Sequence, residues 1–97
     1  MKQVLFHPVA EAEMAESALW YENKQKNLGK RFLEAVESAL KRIQIQPELY
    51  RVLENDIRMC GVGRFPYGII FREKERSIEV IAIMHLKRKP GFWKERV

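Results

Sequence analysis

Ninety-seven residues, 46% of them hydrophobic and 32% charged, suffice for one soluble globular domain with a single modest core. That composition excludes a disordered chain, and the longest apolar run is too short to span a bilayer. A lone cysteine, Cys60, cannot close an internal disulfide, and the start Met1-Lys2-Gln3 lacks the long apolar region of a signal peptide, so the cytoplasm is the expected compartment.

The net charge of +5 is unevenly divided. Residues 1–56 carry 8 Lys/Arg against 9 Asp/Glu, a balance of −1, while residues 57–97 carry 10 against 4, a balance of +6. Positive charge concentrated in one half points to a polyanion or an acidic protein as partner; the alternative is a solvated basic surface with none.

In chain order, KQVLFH at residues 2–7 reads as a short strand, closed by Pro8, which suits the first turn of a helix. The first helix follows, rich in Ala and Glu, with Val9, Ala12, Ala15 and Leu19 spaced for one apolar stripe. After a brief break at Asn27, a second helix is expected from about Leu28 to Gln46. Its apolar residues Leu28, Phe32, Val36, Ala39, Leu40 and Ile43 recur at steps of three and four, and Pro47 stops it. So short a link makes the two helices an antiparallel hairpin.

Residues 47–56, PELYRVLEND, read as a polar connection. Ile57 to Arg64 reads as a strand with a bulge near Gly61 or Gly63, and Phe65-Pro66 as an interruption. Tyr67 to Arg72 is a further strand, residues 73–76 a turn, and Ser77 to Leu86 the last strand. The expected fold is α+β, in the order β-α-α-β-β-β, with the helical hairpin on one face of a small, mainly antiparallel twisted sheet. All of residues 1–97 belong to that one domain. Strict alternation places Ile78, Val80, Ala82 and Met84 under the helices and Glu79, Ile81, Ile83 and His85 on the open face.

Cofactor signatures are missing: there is no P-loop and no dinucleotide fingerprint, and two histidines with one cysteine lack metal-site spacing, so no cofactor and no metal are expected. Cys60 as a nucleophile with His85 as its base is weighed against a cysteine that merely packs. One constellation remains. Arg58 and Arg64, with His85, Lys87 and Arg88, are candidates to hold a phosphodiester and move a proton, and Tyr67, Phe92 and Trp93 offer flat surfaces for a base. Against this, Glu79 lies about 20 Å along the strand from His85, too far to share one scissile bond. His85 reads equally as a strand-end histidine bonded to the backbone, and Phe92 and Trp93 as residues that fold back over the core.

The order of elements and several short motifs resemble the RelE/ParE superfamily of toxins from bacterial type II toxin–antitoxin systems. The marks are His7-Pro8-Val9-Ala10, then WYENKQKNLGKRFLEAV, Pro47 after helix two, Ile57-Arg58, RFPYGIIF from Arg64 to Phe71, and IAIMHLKRKPGFWKER from Ile81 to Arg96. The FPY segment and the H-x-x-R-x-P-x-x-W ending are similar to the ParE-like, plasmid stabilisation branch. The resemblance implies a toxin neutralised by a cognate antitoxin; the +6 balance of residues 57–97 and the half-apolar face of the last strand make that partner an acidic, partly disordered protein expected to engage Ile81, Ile83, Arg58 and Arg64. It implies DNA gyrase as a target met by docking, and the basic run Lys87, Arg88 and Lys89 with the aromatics Tyr67 and Trp93 are the residues expected to meet that target. The alternative it carries is a ribosome-dependent mRNA endonuclease of the RelE type, with His85, Arg64 and Arg58 as catalytic residues. Such nucleases carry a tyrosine or a His-Tyr pair near the terminus, whereas here His85 is followed by Leu86 and the terminus holds Phe92-Trp93. A third possibility is an inert remnant that only pairs with its antitoxin.

Overall fold

His7 and Pro8 turn the first strand into the first helix. The His7 Nδ1 accepts the Val9 N–H at 3.1 Å as an N-cap, and Pro8 occupies the first helical position, where no N–H is needed. In this computed structural model, which describes all 97 residues, the elements are β1 (Gln3–Phe6), α1 (Pro8–Lys24), α2 (Leu28–Ile45), β2 (Arg51–Glu54), β3 (Ile57–Val62), β4 (Phe65–Glu73) and β5 (Ser77–His85). Short 3₁₀ turns cover Pro47–Leu49 and Phe92–Arg96. No helix is long and apolar enough to cross a membrane.

The two helices pack as the expected hairpin on one face of a five-stranded sheet in the order β1-β5-β4-β3-β2. Only the β1–β5 pair is parallel. Gly29 lies against the Ala18 carbonyl, an approach that a Cβ would block, and the Glu22 carboxylate caps the start of α2 by accepting the Asn27 and Gly29 N–H groups at 2.9 and 3.0 Å. On α2, Phe32, Val36, Ala39 and Ile43 are buried as their spacing requires. On α1 the expected stripe faces outward instead. Val9, Ala12, Ala15 and Leu19 are exposed, while Ala10, Met14, Ala18 and Tyr21 face the core. This helix is apolar on two sides, and the small Ala10 and Ala18 allow the closer approach to sheet and α2.

Two further differences concern the strands. The stretch read as a polar connection contains β2, an edge strand paired to β3 through a turn in which Asn55 adopts a left-handed φ of 51°. Phe65-Pro66 does not interrupt its strand. β4 begins at Phe65, and the register break between Gly61 and Val62 leaves Pro66 without a partner on β3, so its missing N–H breaks no ladder bond. The bulge expected near Gly61 is present there.

The third difference decides where the functional residues lie. Between β4 and β5, Ile70 pairs with Ala82 but Phe71 pairs with Val80, so Ile81 is an extra residue. Alternation inverts at that point. Ile78 and Val80 lie under the helices as expected, but Ala82 and Met84 belong to the opposite face, and Ile83 and His85 come round to the helix side. That opposite face is not open. Trp93 folds back over it and packs with Ile57, Ile70, Ile81 and Ala82, forming a second, smaller core.

Candidate functional site

Because of the Ile81 bulge, His85 ends β5 beside α1 rather than on the far face. Its ring sits 5.3 Å from that of Tyr67, its cross-strand partner, in an edge-to-face contact. The His85 Nδ1 accepts the Lys87 backbone N–H at 3.1 Å. A backbone N–H can only donate, so the Nδ1 lone pair is engaged and the neutral ring carries its proton on Nε2. In that tautomer the imidazole has no free lone pair with which to accept a substrate proton. A hollow of about 490 Å³ opens here, between Trp20 and Tyr21 of α1 and Tyr67 and His85 of the sheet. Tyr21 also contacts Phe32 and Phe65, and burial, with the nearby Tyr67, pushes its hydroxyl pKa up.

The arginines expected beside His85 lie elsewhere. Arg58 donates to the Glu48 and Tyr50 carbonyls at 3.1 and 2.8 Å, tying the chain after α2 to β3. Arg64 occupies the turn between β3 and β4, where it is exposed and lines a small cleft with Arg31 and Phe65. Glu79 is on the opposite face from His85 and pairs with Arg72 at 2.6 Å and Lys74 at 3.1 Å; these partners hold its pKa below the usual value, the hydrogen bond from Arg72 being the largest cause. Cys60 is buried and its thiol donates to the Gly61 carbonyl; burial pushes its pKa up, against smaller opposing effects of Arg42 and Tyr50. A nucleophilic Cys60 is therefore not what this environment favours. No group of three His, Cys, Asp or Glu side chains is placed to hold a metal ion.

The residues after β5 form the other surface. Lys87, Arg88 and Lys89 are exposed, and the Arg88 guanidinium stacks 4.1 Å over Phe92. Trp93, expected to meet a target, is only 4% exposed and belongs to the core. Ile81 and Ile83, expected to meet an antitoxin, are 1% and 2% exposed, one beneath Trp93 and the other beneath the helices, so neither offers surface to a partner. Tyr67 is half-buried among Tyr21, Phe32 and His85. Between the tail and the sheet runs a groove of about 560 Å³, with Met59, Met84 and Trp93 on its floor and Arg51, Arg88 and Lys94 at its rim.

Sequence reasoning missed Arg51 and Lys94 of that rim, and also Glu13 and Arg96. The Arg96 guanidinium donates to both Glu13 carboxylate oxygens at 2.8 and 2.9 Å and to the Ile81 carbonyl at 3.0 Å. Glu13 is one of four glutamates in α1 and nothing in its spacing distinguishes it.

Comparison with known proteins agrees with this architecture. A solved structure titled "Chromosomal ParDE TA system from P. aeruginosa" superposes with a TM-score of 0.75 at 16% identity, over 88% of this chain and 96% of that one, a likeness of fold. The comparison with curated proteins finds no match. Residues 4–90 match the family described as "ParE toxin of type II toxin-antitoxin system, parDE". With nearly the whole sequence inside that match, the chain belongs to the ParE toxin family of type II toxin–antitoxin systems.

Proposed function

We propose that the protein is a cytoplasmic docking toxin that inactivates DNA gyrase by binding it and is held inactive by a cognate antitoxin. The observation that carries this reading is the state of His85. Its Nδ1 is engaged by the Lys87 N–H, and neither Arg58 nor Glu79 is beside it, so the groups that a self-sufficient nuclease would gather at one phosphodiester are dispersed. Docking needs surface rather than a proton relay, and the basic half supplies it.

The antitoxin is proposed to lay an acidic, partly disordered segment into the groove between tail and sheet. Its apolar floor suits a few buried side chains, and the three cations at its rim face a single lining carboxylate, Glu54, which Lys94 already holds at 3.2 Å. The kinship with a structure titled as a ParDE system supports an antitoxin partner.

A supercoiling assay tests the target. Purified toxin is expected to stop gyrase from supercoiling relaxed plasmid, and antitoxin added first is expected to prevent that. Site-specific breaks in mRNA after induction, with supercoiling unchanged, would make the chain a RelE-type nuclease instead. Neither effect would leave a remnant that only binds its antitoxin.

A further inference from the structure

The hollow beside His85 has walls that its place in the fold does not require. Trp20, which lines it, is 55% exposed, although an indole gains by burial. Tyr67 and His85 form the opposite wall, with Tyr21 at the base. Glu16 also lines the hollow, one helical turn before Trp20, and its carboxylate has no hydrogen-bond or ion-pair partner in the chain. At about 490 Å³ the hollow is within the size range of ligand sites, roughly 300–1,000 Å³.

We propose that this hollow is a receptor for one basic side chain, an arginine, presented by a protein partner. Aromatic faces attract a cation through their quadrupoles, and an unpaired carboxylate at the rim adds a direct partner. Trp20 already attracts a cation within the chain: the Lys24 ammonium, one turn further along α1 and not among the residues lining the hollow, sits 4.9 Å from the ring centroid. Arginine fits better than lysine because a planar guanidinium stacks on a ring while its edge donates two hydrogen bonds to a carboxylate. A nucleotide fits poorly. No lysine or arginine lines the hollow, so a phosphate inside it would meet the Glu16 carboxylate without a lining cation. The exposed Trp20 supplies apolar contact beside such an anchor in an interface. This receptor lies on the α1 side, away from the basic groove between tail and sheet, and holds whichever target the toxin meets.

The test uses the whole isotopically labelled toxin and the tripeptide N-acetyl-Gly-Arg-Gly-amide, read by nuclear magnetic resonance. The peptide is expected to shift the Trp20 indole and His85 ring signals saturably while the buried Trp93 indole stays still. The same peptide with citrulline, neutral and nearly isosteric, is expected to produce much smaller shifts. Glu16→Gln should weaken the arginine peptide about two- to fivefold, the scale of an exposed ion pair. Trp20→Ala, at a 55% exposed position, should abolish the shift of the His85 ring. Equal shifts from the citrulline peptide would overturn the proposal, as would guanosine monophosphate moving these signals where the arginine peptide does not, or no shift with any of the three. The readout involves neither gyrase nor antitoxin, so it stands or falls apart from the toxin's target.

Discussion

Glu13 and Arg96, 83 residues apart, meet in a two-pronged ion pair at the edge of β5 that β1 leaves uncovered. β1 pairs with β5 only as far as Val80. Beyond it, the Ile83 N–H donates to Glu13 Oε1 at 3.2 Å and the Ile81 carbonyl accepts from Arg96 Nη1 at 3.0 Å. The pair thus completes the hydrogen bonding of a bulged strand edge and pins the tail that carries Trp93.

Breaking this pair is expected to destabilise the whole domain. Both side chains are 13% exposed, so Arg96→Ala leaves a mostly desolvated carboxylate and an unpaired carbonyl, a loss of about 2–4 kcal/mol. Urea unfolding should show it as a lowered midpoint with an unchanged slope. Adding Glu13→Ala to Arg96→Ala should cost much less than the sum of the two single losses. Additive losses would mean that the two groups act separately.

Much of this fold is legible in the sequence because its periodic signals are strong. Pro8, Pro47 and the spacing from Phe32 to Ile43 state where the helices begin, end and bury themselves. The errors arise where one pattern admits two placements. The first helix has apolar residues at helical spacing on both faces, and only packing chooses between Ala10-Met14-Ala18 and Val9-Ala12-Leu19. The bulge at Ile81 is harder to read, since a run of β-branched residues carries no glycine to mark it. One unpaired residue there moves His85 across the sheet and with it the expected site. The structural roles of Arg58 and Glu13 are invisible for another reason: their partners are two backbone carbonyls and a residue at the far end of the chain.

Arg51 tests the groove. It is exposed and makes no ion pair, so Arg51→Glu should change stability by no more than about 0.5 kcal/mol. If an acidic antitoxin segment docks there, the reversal should slow association severalfold, with less effect at high salt and little on dissociation. Surface plasmon resonance at two ionic strengths would read this. An unchanged association rate would move the antitoxin off this rim.

The Glu79 carboxylate gives stability a defined acid limb. Its folded pKa is held below the ordinary value of 4.5, chiefly by the Arg72 hydrogen bond, so the unfolded chain binds the proton more readily. This contribution is fully present above pH 4.5 and is lost as pH falls from there through the depressed folded value. Glu79→Gln removes the titrating group. Thermal melts taken as pH falls from about 6 should show the two proteins separated above pH 4.5 and converging below it, as folded Glu79 takes up its proton. A constant gap across the range would exclude this linkage.

Arg58 separates a structural reading from a catalytic one. Its guanidinium donates to the Glu48 and Tyr50 carbonyls, which hold the 3₁₀ turn after α2 against β3. Removing it leaves the partly buried Tyr50 carbonyl without that donor, a loss of about 1–2 kcal/mol. Arg58→Ala should therefore melt several degrees lower and, under the docking reading, still inhibit growth at a temperature where it remains folded. Arg58→Lys should recover part of the stability, since one ammonium can reach a carbonyl without reproducing the planar fork. A catalytic arginine behaves in the opposite way, losing toxicity in both variants while the melting temperature stays put. Growth inhibition and thermal melting measured on the same two proteins distinguish these outcomes, and a folded, non-toxic Arg58→Lys would return Arg58 to the machinery of a nuclease.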